Sequence, residues 1–189
     1  MRKCFRYGVA FAAFAAVLVG SANAFSFTYT WQQTDDQMAD RLFRDGVPSV
    51  YGTPKAFPGT FTGPVFVKTF LVSNPYNTIS DLEVTNTTDS SVFNVFLSAY
   101  AGSFDPNNLA LNYLGDTGSS PDPLNPQTMG IQIAPNTDVI LMASSLNLTD
   151  NIGTSFTIEG TLTPVPEPAS MLAIGAGLAA LAARKRRKS

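Results

Sequence analysis

Six short runs rich in Val, Phe, Ile and Thr, each closed off by Asn, Asp, Gly, Pro or Ser, set the tightest limit on how this chain folds. They read "PVFVKTFLVS", "TISDLEVTN", "SVFNVFLSAYA", "GIQIA", "DVILMASS" and "TSFTIEGTLT". In the first, Phe66, Lys68 and Phe70 alternate with Val65, Val67, Thr69 and Leu71, and in the last Phe156 and Ile158 alternate with Thr157 and Glu159. That period of two is the signature of strands with one buried face. Val139 to Met142 is apolar throughout, which predicts a strand covered on both faces. Several such strands with turns at this spacing predict an all-β fold, a β-sandwich or jelly roll. Phe96, in the most apolar of the runs, is the expected core residue.

Ahead of the first run, residues 25–60 are polar and rich in Pro and Gly, and the expectation is an irregular lead-in with Trp31 tucked onto the domain. Within it "TDDQMADRLFR" is the one segment that suggests a short helix. The sandwich domain is thus expected over residues 25–163, long enough for a real core. It contains no cysteine, so no disulfide staples it.

The N-terminal stretch carries Arg2, Lys3 and Arg6, then an apolar run from Val9 to Gly20, then "SANA". Ala22 and Ala24 supply the small side chains a signal peptidase accepts, so cleavage is expected between Ala24 and Phe25, removing residues 1–24 as a secretory signal helix. The sole cysteine, Cys4, leaves with it, and its place before the apolar run argues against lipidation.

At the other end, Pro166-Glu167-Pro168 precedes an apolar run from Ala169 to Ala183 and a basic cluster, Arg184, Lys185, Arg186, Arg187 and Lys188. As a helix the apolar run extends about 22 Å, against roughly 30 Å of bilayer hydrocarbon. It is a marginal transmembrane helix, and the bases hold their end in the cytoplasm. Composition alone fits a weak permanent anchor or a temporary stop for processing. The two prolines keep their segment extended and out of the helix, where a protease reaches the backbone. Ala173, Gly175, Gly177 and Ala179 give the spacing of small residues seen at helix-pair faces, which an Ala/Gly-rich segment also produces by chance.

The three ordered parts over residues 164–189 resemble the PEP-CTERM sorting signal of Gram-negative bacteria. The resemblance implies exosortase as the processing partner, with cleavage near Pro166-Glu167-Pro168. It implies an inner-membrane-anchored precursor and a final location at the cell surface or in an extracellular matrix of exopolysaccharide or biofilm.

A second resemblance lies inside the domain. Tyr100, Gly102, Phe104 and Pro106, then Asn112, Tyr113, Gly115, Asp116 and Gly118, fit a pattern similar to secreted pre-peptidase C-terminal and P-domain-like β-sandwich modules. These are accessory folds without a catalytic site of their own, and the resemblance implies a protein, glycan or calcium ligand. Asp105, Asn107, Asn108 and Asp116 offer hard oxygen ligands at two ends of one loop, a candidate calcium site at Asp105 and Asp116. "DPNNLA" lacks EF-hand spacing, and Asp-Pro-Asn-Asn also reads as a turn bonded to its own backbone.

Enzyme chemistry has little to work with. The chain has no histidine, and no cysteine survives processing, which removes His-dependent triads, Cys nucleophiles and the usual zinc, copper and haem ligands. Glu83 and Glu159, the natural pair for carboxylate catalysis, alternate with apolar residues and read as solvent-facing. The expectation is no enzyme and no cofactor. Between residues 25 and 164, four bases against thirteen acids give a net charge of −9, which repels nucleic acid and anionic membranes. Asn86 and Asn147 match a glycosylation sequon but read better as turn and edge residues.

Thr-x-Thr recurs as "TYT", "TFT", "TNT" and "TLT" at irregular intervals, so an ice-binding face is a remote alternative. The reading carried forward is an exported, non-enzymatic surface or matrix protein. Its alternative is a carbohydrate- or calcium-binding accessory module retained by its C-terminal helix.

Overall fold

The computed structural model describes residues 21–89, 95–146, 152–166 and 175–177. Gly20–Val165 form one compact unit. It consists of two antiparallel sheets. The four-stranded sheet runs β1 (Asn23–Thr30), β9 (Ser155–Pro164), β4 (Ser80–Thr88), β7 (Gln127–Ile133). The five-stranded sheet runs β2 (Gln37–Leu42), β3 (Thr60–Val72), β8 (Val139–Ser145), β5 (Val95–Ala101), β6 (Tyr113–Asp116). The expected all-β sandwich is what forms.

Period-two alternation decides which side chains meet between the sheets. Leu82 and Val84 of β4, Met129 and Ile131 of β7, and Phe156, Ile158 and Leu162 of β9 point inward from one sheet. Phe66 of β3, Leu97 of β5 and Leu141 of β8 meet them from the other. Each such side chain, fully buried, contributes about 1.5–3 kcal/mol. Trp31 closes one end of this core at 1% exposure, stacked on Phe66 at 6.0 Å and tilted against Phe156 at 5.2 Å.

The five-stranded sheet is covered on its second face too. Val65 and Val67 of β3, Met142 of β8 and Phe96 and Tyr100 of β5 form a separate cluster with Met38, Leu42 and Leu109. Val139 and Leu141 therefore face one core while Met142 faces the other, which is why this strand reads as apolar throughout. Phe96 is buried as expected, with the Arg44 guanidinium 5.3 Å from its ring centre.

The irregular lead-in predicted over residues 25–60 is corrected. β1 pairs with β9 without interruption from Asn23↔Leu162 to Thr30↔Ser155, and β2 pairs with β3. The short helix suggested by "TDDQMADRLFR" is instead this second strand. Met38 and Leu42, four residues apart, are both buried, and a spacing of four satisfies a helix and a strand alike.

The signal helix lies outside the described residues, as do the basic tail, Glu167, Pro168 and Asn147. Of the C-terminal helix only Gly175 to Gly177 are described, and they are helical. Among the described residues no helix is long and apolar enough to cross a membrane.

Candidate functional site

Both ends of the domain leave from one pole. Asn23 at the start of β1 lies opposite Leu162, two residues before β9 ends at Pro164. Val165 is the last residue held by the sheet, its N–H donating to the carbonyl of Ile79 at 2.8 Å. Pro166 follows directly, so the sorting segment begins where the fold stops. Ala24 and Phe25, on either side of the expected signal peptidase bond, are paired with Thr161 and Gly160, while exposed Ala22 precedes the strand.

A second locus surrounds Asp116, which is fully buried. One carboxylate oxygen accepts from Lys55 Nζ at 2.6 Å and from the Gly118 N–H at 2.6 Å. The other accepts from the Tyr113 hydroxyl. Lys55 also reaches Asp45 at 2.8 Å and the Val47 carbonyl, so it gathers residues 45–55 against the sandwich. Burial works to raise the Asp45 carboxyl, but the Lys55 hydrogen bond and the Val47 N–H outweigh it and hold the group below its ordinary value. Burial, and then donation to Asp116, push the Tyr113 phenol well above its usual value.

Ser49 stitches the two sheets together within this strap. Its N–H donates to the Asp116 carbonyl of β6 at 2.9 Å, and its carbonyl accepts from Gly130 of β7 at 2.9 Å. Its hydroxyl accepts from the Asp116 N–H, also at 2.9 Å. The fit needs glycine at two places. A Cβ on Gly115 would lie 2.2 Å from Ser49 Oγ, and one on Gly118 would lie 2.5 Å from the Val47 backbone at a φ of +70°. Tyr113, Gly115, Asp116 and Gly118, singled out in the sequence as parts of one pattern, thus act together: they hold the strap. Asn112 of the same pattern turns the chain into them, its amide donating to the Ser103 hydroxyl at 2.9 Å.

Asp105 and Asp116 have separate partners. Asp105 accepts from the Asn107 N–H at 2.9 Å, the self-bonded turn, while Asp116 is engaged by Lys55. Among the described residues no group of three or more His, Cys, Asp or Glu comes together as metal ligands.

The third locus is the outer face of the four-stranded sheet. Three of the four Thr-x-Thr segments lie on β1, β4 and β9, so strand pairing gathers them. Thr28 sits beside Thr157 and Thr157 beside Thr87, while Ser26, Glu159, Thr85 and Thr128 form the next row. Hydroxyls of Thr28 and Thr157 are 3.0 Å apart, and those of Thr85 and Thr128 are 2.9 Å apart. The fourth segment, Thr60 and Thr62, is on β3 of the other sheet. Glu83 and Glu159 are exposed here, as expected, and border an open recess of about 610 Å³ with Thr85 and Thr161. Tyr51 from the strap lies over Gly130, its ring 3.1 Å from where a Cβ would be, and its hydroxyl donates to Glu83 at 3.4 Å. No sequence pattern marks Tyr51, because the face is assembled from four strands and a loop distant along the chain.

All four bases of the domain are engaged by neighbouring side chains. Lys55 serves Asp116 and Asp45, Lys68 lies 4.5 Å from the centre of the Tyr29 ring, Arg41 lies over Phe61 and Arg44 over Phe96. Against these four bases stand thirteen acids between residues 25 and 164, so the domain is acidic overall.

The sequence of the segment after Val165 decides where this domain is sent. Residues 164–187 match the PEP-CTERM protein-sorting motif. The protein is an exported substrate of exosortase. No curated protein matches the chain. The matched motif begins at Pro164, the last residue of β9, so it overlaps the end of the sheet that the Val165 hydrogen bond marks.

Proposed function

We propose that the delivered domain is a non-enzymatic component of the cell surface or extracellular matrix, working by contact rather than by chemistry. The sorting motif carries this reading, since it directs the sandwich out of the cell. The hydroxyl-rich outer face supports it, because Thr, Ser and carboxylate groups on a flat sheet suit the hydroxyls of an exopolysaccharide. Tagging the chain between β-strands in an exosortase-carrying host tests it. The tag should fractionate with the surface or matrix and return to the membrane fraction when exosortase is deleted. Recovery from the cytoplasm in both strains would refute it.

The alternative, a carbohydrate-binding accessory module, is favoured by one observation. Tyr51 presents an aromatic ring beside Glu83 and the threonine rows, the combination that stacks on a sugar and bonds its hydroxyls. The resemblance of the stretch from Val95 to Leu162 to secreted accessory modules is in keeping with this reading. Affinity electrophoresis through host exopolysaccharide tests it, with Tyr51→Ala expected to abolish retardation. The ice-binding alternative gains from the clustering of threonines, but Glu83 and Glu159 sit among them and hold their own hydration.

A further inference from the structure

Every open sheet presents two edges, and unpaired edges invite other strands unless something blocks them. Three of the four edges here carry a block. β2 is six residues long, contains Asp40 and Arg41, and has a register shift between Met38 and Asp40. β6 is four residues long, with a register shift opposite Ala99 and Tyr100 and its Asp116 carbonyl taken by the Ser49 N–H. β7 gives its Gly130 N–H to the Ser49 carbonyl, so the strap covers it.

β1 is less well guarded. It has no proline, no charged side chain and an unbroken register against β9, and cleavage after Ala24 leaves residues 25–30 of it, with the new α-ammonium at its start. Among the described residues no strand pairs with its other side. Its inward side chains are aromatic and only half-buried. Phe25 and Phe27 are 5.4 Å apart and line a shallow recess with Leu71, which is 56% exposed. Backbone donors and acceptors along an apolar rim call for another strand.

We propose that the outer edge of β1 docks β1 of a second copy of this chain, antiparallel, about a dyad at Phe27. The sequence is self-complementary in that register. Phe27 meets its symmetry mate, Phe25 meets Tyr29, and Ser26 meets Thr28, so each pair is aromatic–aromatic or hydroxyl–hydroxyl, combinations that stabilise antiparallel sheets. The Thr28–Thr157 pair already shows the second kind within one copy. All five positions survive cleavage after Ala24. The product is one continuous eight-stranded sheet, the four strands of each copy joined at β1. It carries the threonine rows of both copies on one face, which doubles the polar surface offered to a matrix. The inference deepens the matrix reading, and its test needs no matrix: association is read on purified protein, whereas localisation is read in cells.

The test uses processed protein collected from an exosortase-carrying host, studied by sedimentation velocity over a concentration series. A reversible dimer is expected. Ser26→Lys/Thr28→Lys places like charges opposite each other on both sides of the dyad and should weaken the dimer about tenfold. A Ser26→Glu/Thr28→Glu copy should also fail alone, and mixing the two variants should restore a heterodimer, which a folding defect does not do. A monomer that persists to about 1 mM would overturn the proposal. So would a dimer indifferent to both substitutions.

Discussion

The Lys55–Asp116 pair is where a single substitution should cost the domain most for its size. Lys55→Met keeps an unbranched side chain of similar length and removes the ammonium. Asp116, with no exposed surface, then keeps only the Gly118 N–H and the Tyr113 hydroxyl against a full buried charge. Removing one partner of a buried pair costs about 3–5 kcal/mol, because the remaining charge has lost its compensation and cannot reach water. At about 4 °C per kcal/mol for a domain of this size, the thermal midpoint falls by roughly 12–20 °C.

Asp116→Asn should be milder, about 1–2 kcal/mol. The amide oxygen still accepts from Gly118, and Lys55 keeps Asp45 at 2.8 Å and the Val47 carbonyl. The double variant should then be more stable than Lys55→Met alone, since the stranded charge is gone. Urea denaturation of all four proteins closes the cycle, with the slope checked for constancy. A loss under about 1 kcal/mol for Lys55→Met, or additive single effects, would refute the assignment of this pair as the clasp of the strap.

Three further outcomes are expected. Phe96→Ala, at a site 1% exposed beneath Arg44, should cost about 3–5 kcal/mol by urea denaturation. Alkali should destabilise the domain. Burial first, and neighbouring carboxylates in part, push Tyr29, Tyr51 and Tyr100 from 10.0 up to about 12, with Tyr113 above that. The neutral phenols favour the folded state, so their contribution is complete below 10.0 and is lost as pH rises through about 12. Arg44, lowered to about 10 by burial and by Arg41, and Arg41, lowered by burial, work in the opposite sense but are two groups against four, and thermal midpoints measured across that window should fall. Calcium added after chelation should leave the thermal midpoint unchanged, because Lys55 already neutralises Asp116 and Asp105 closes its own turn. A rise with calcium that magnesium does not reproduce would count against that.

The strands are legible where one alternation dominates. Val65 to Leu71 and Phe156 to Glu159 read directly as two-faced strands, and the apolar Val139 to Met142 reads as doubly covered. β1 carries an equally plain pattern, Phe25, Phe27 and Tyr29 against Ser26, Thr28 and Thr30, yet it adjoins the signal segment and merges with the polar stretch that follows. β2 is ambiguous for a physical reason, since two buried residues four apart fit either period. The strap is half legible. Asn112 to Gly118 stands out as a pattern, but Lys55 and Ser49, which explain it, lie some sixty residues away and belong to no motif. The hydroxyl face is visible only as scattered Thr-x-Thr, because the property belongs to the sheet order β1-β9-β4-β7 and not to any one strand.

That order also ties the two processing steps to the fold. Before β1 pairs with β9, the Ala24–Phe25 bond is extended chain that a peptidase can hold. Afterwards both residues are locked opposite Thr161 and Gly160, so a cut at this expected site should precede closure of the sandwich. β9 is the last strand of the domain in chain order, so β1 lacks its partner until synthesis nears its end and the expected N-terminal site stays extended for that time. The C-terminal site has the reverse requirement. Val165 is pinned to Ile79 and Pro166 follows at once, so closure of β9 onto β4 leaves Pro166 at the margin of a finished sheet. The opposite pole of the sandwich is where Trp31 exchanges hydrogen bonds with Gly153 and Thr154. A folded precursor should therefore resist signal peptidase in vitro while remaining a substrate for cleavage near Pro166.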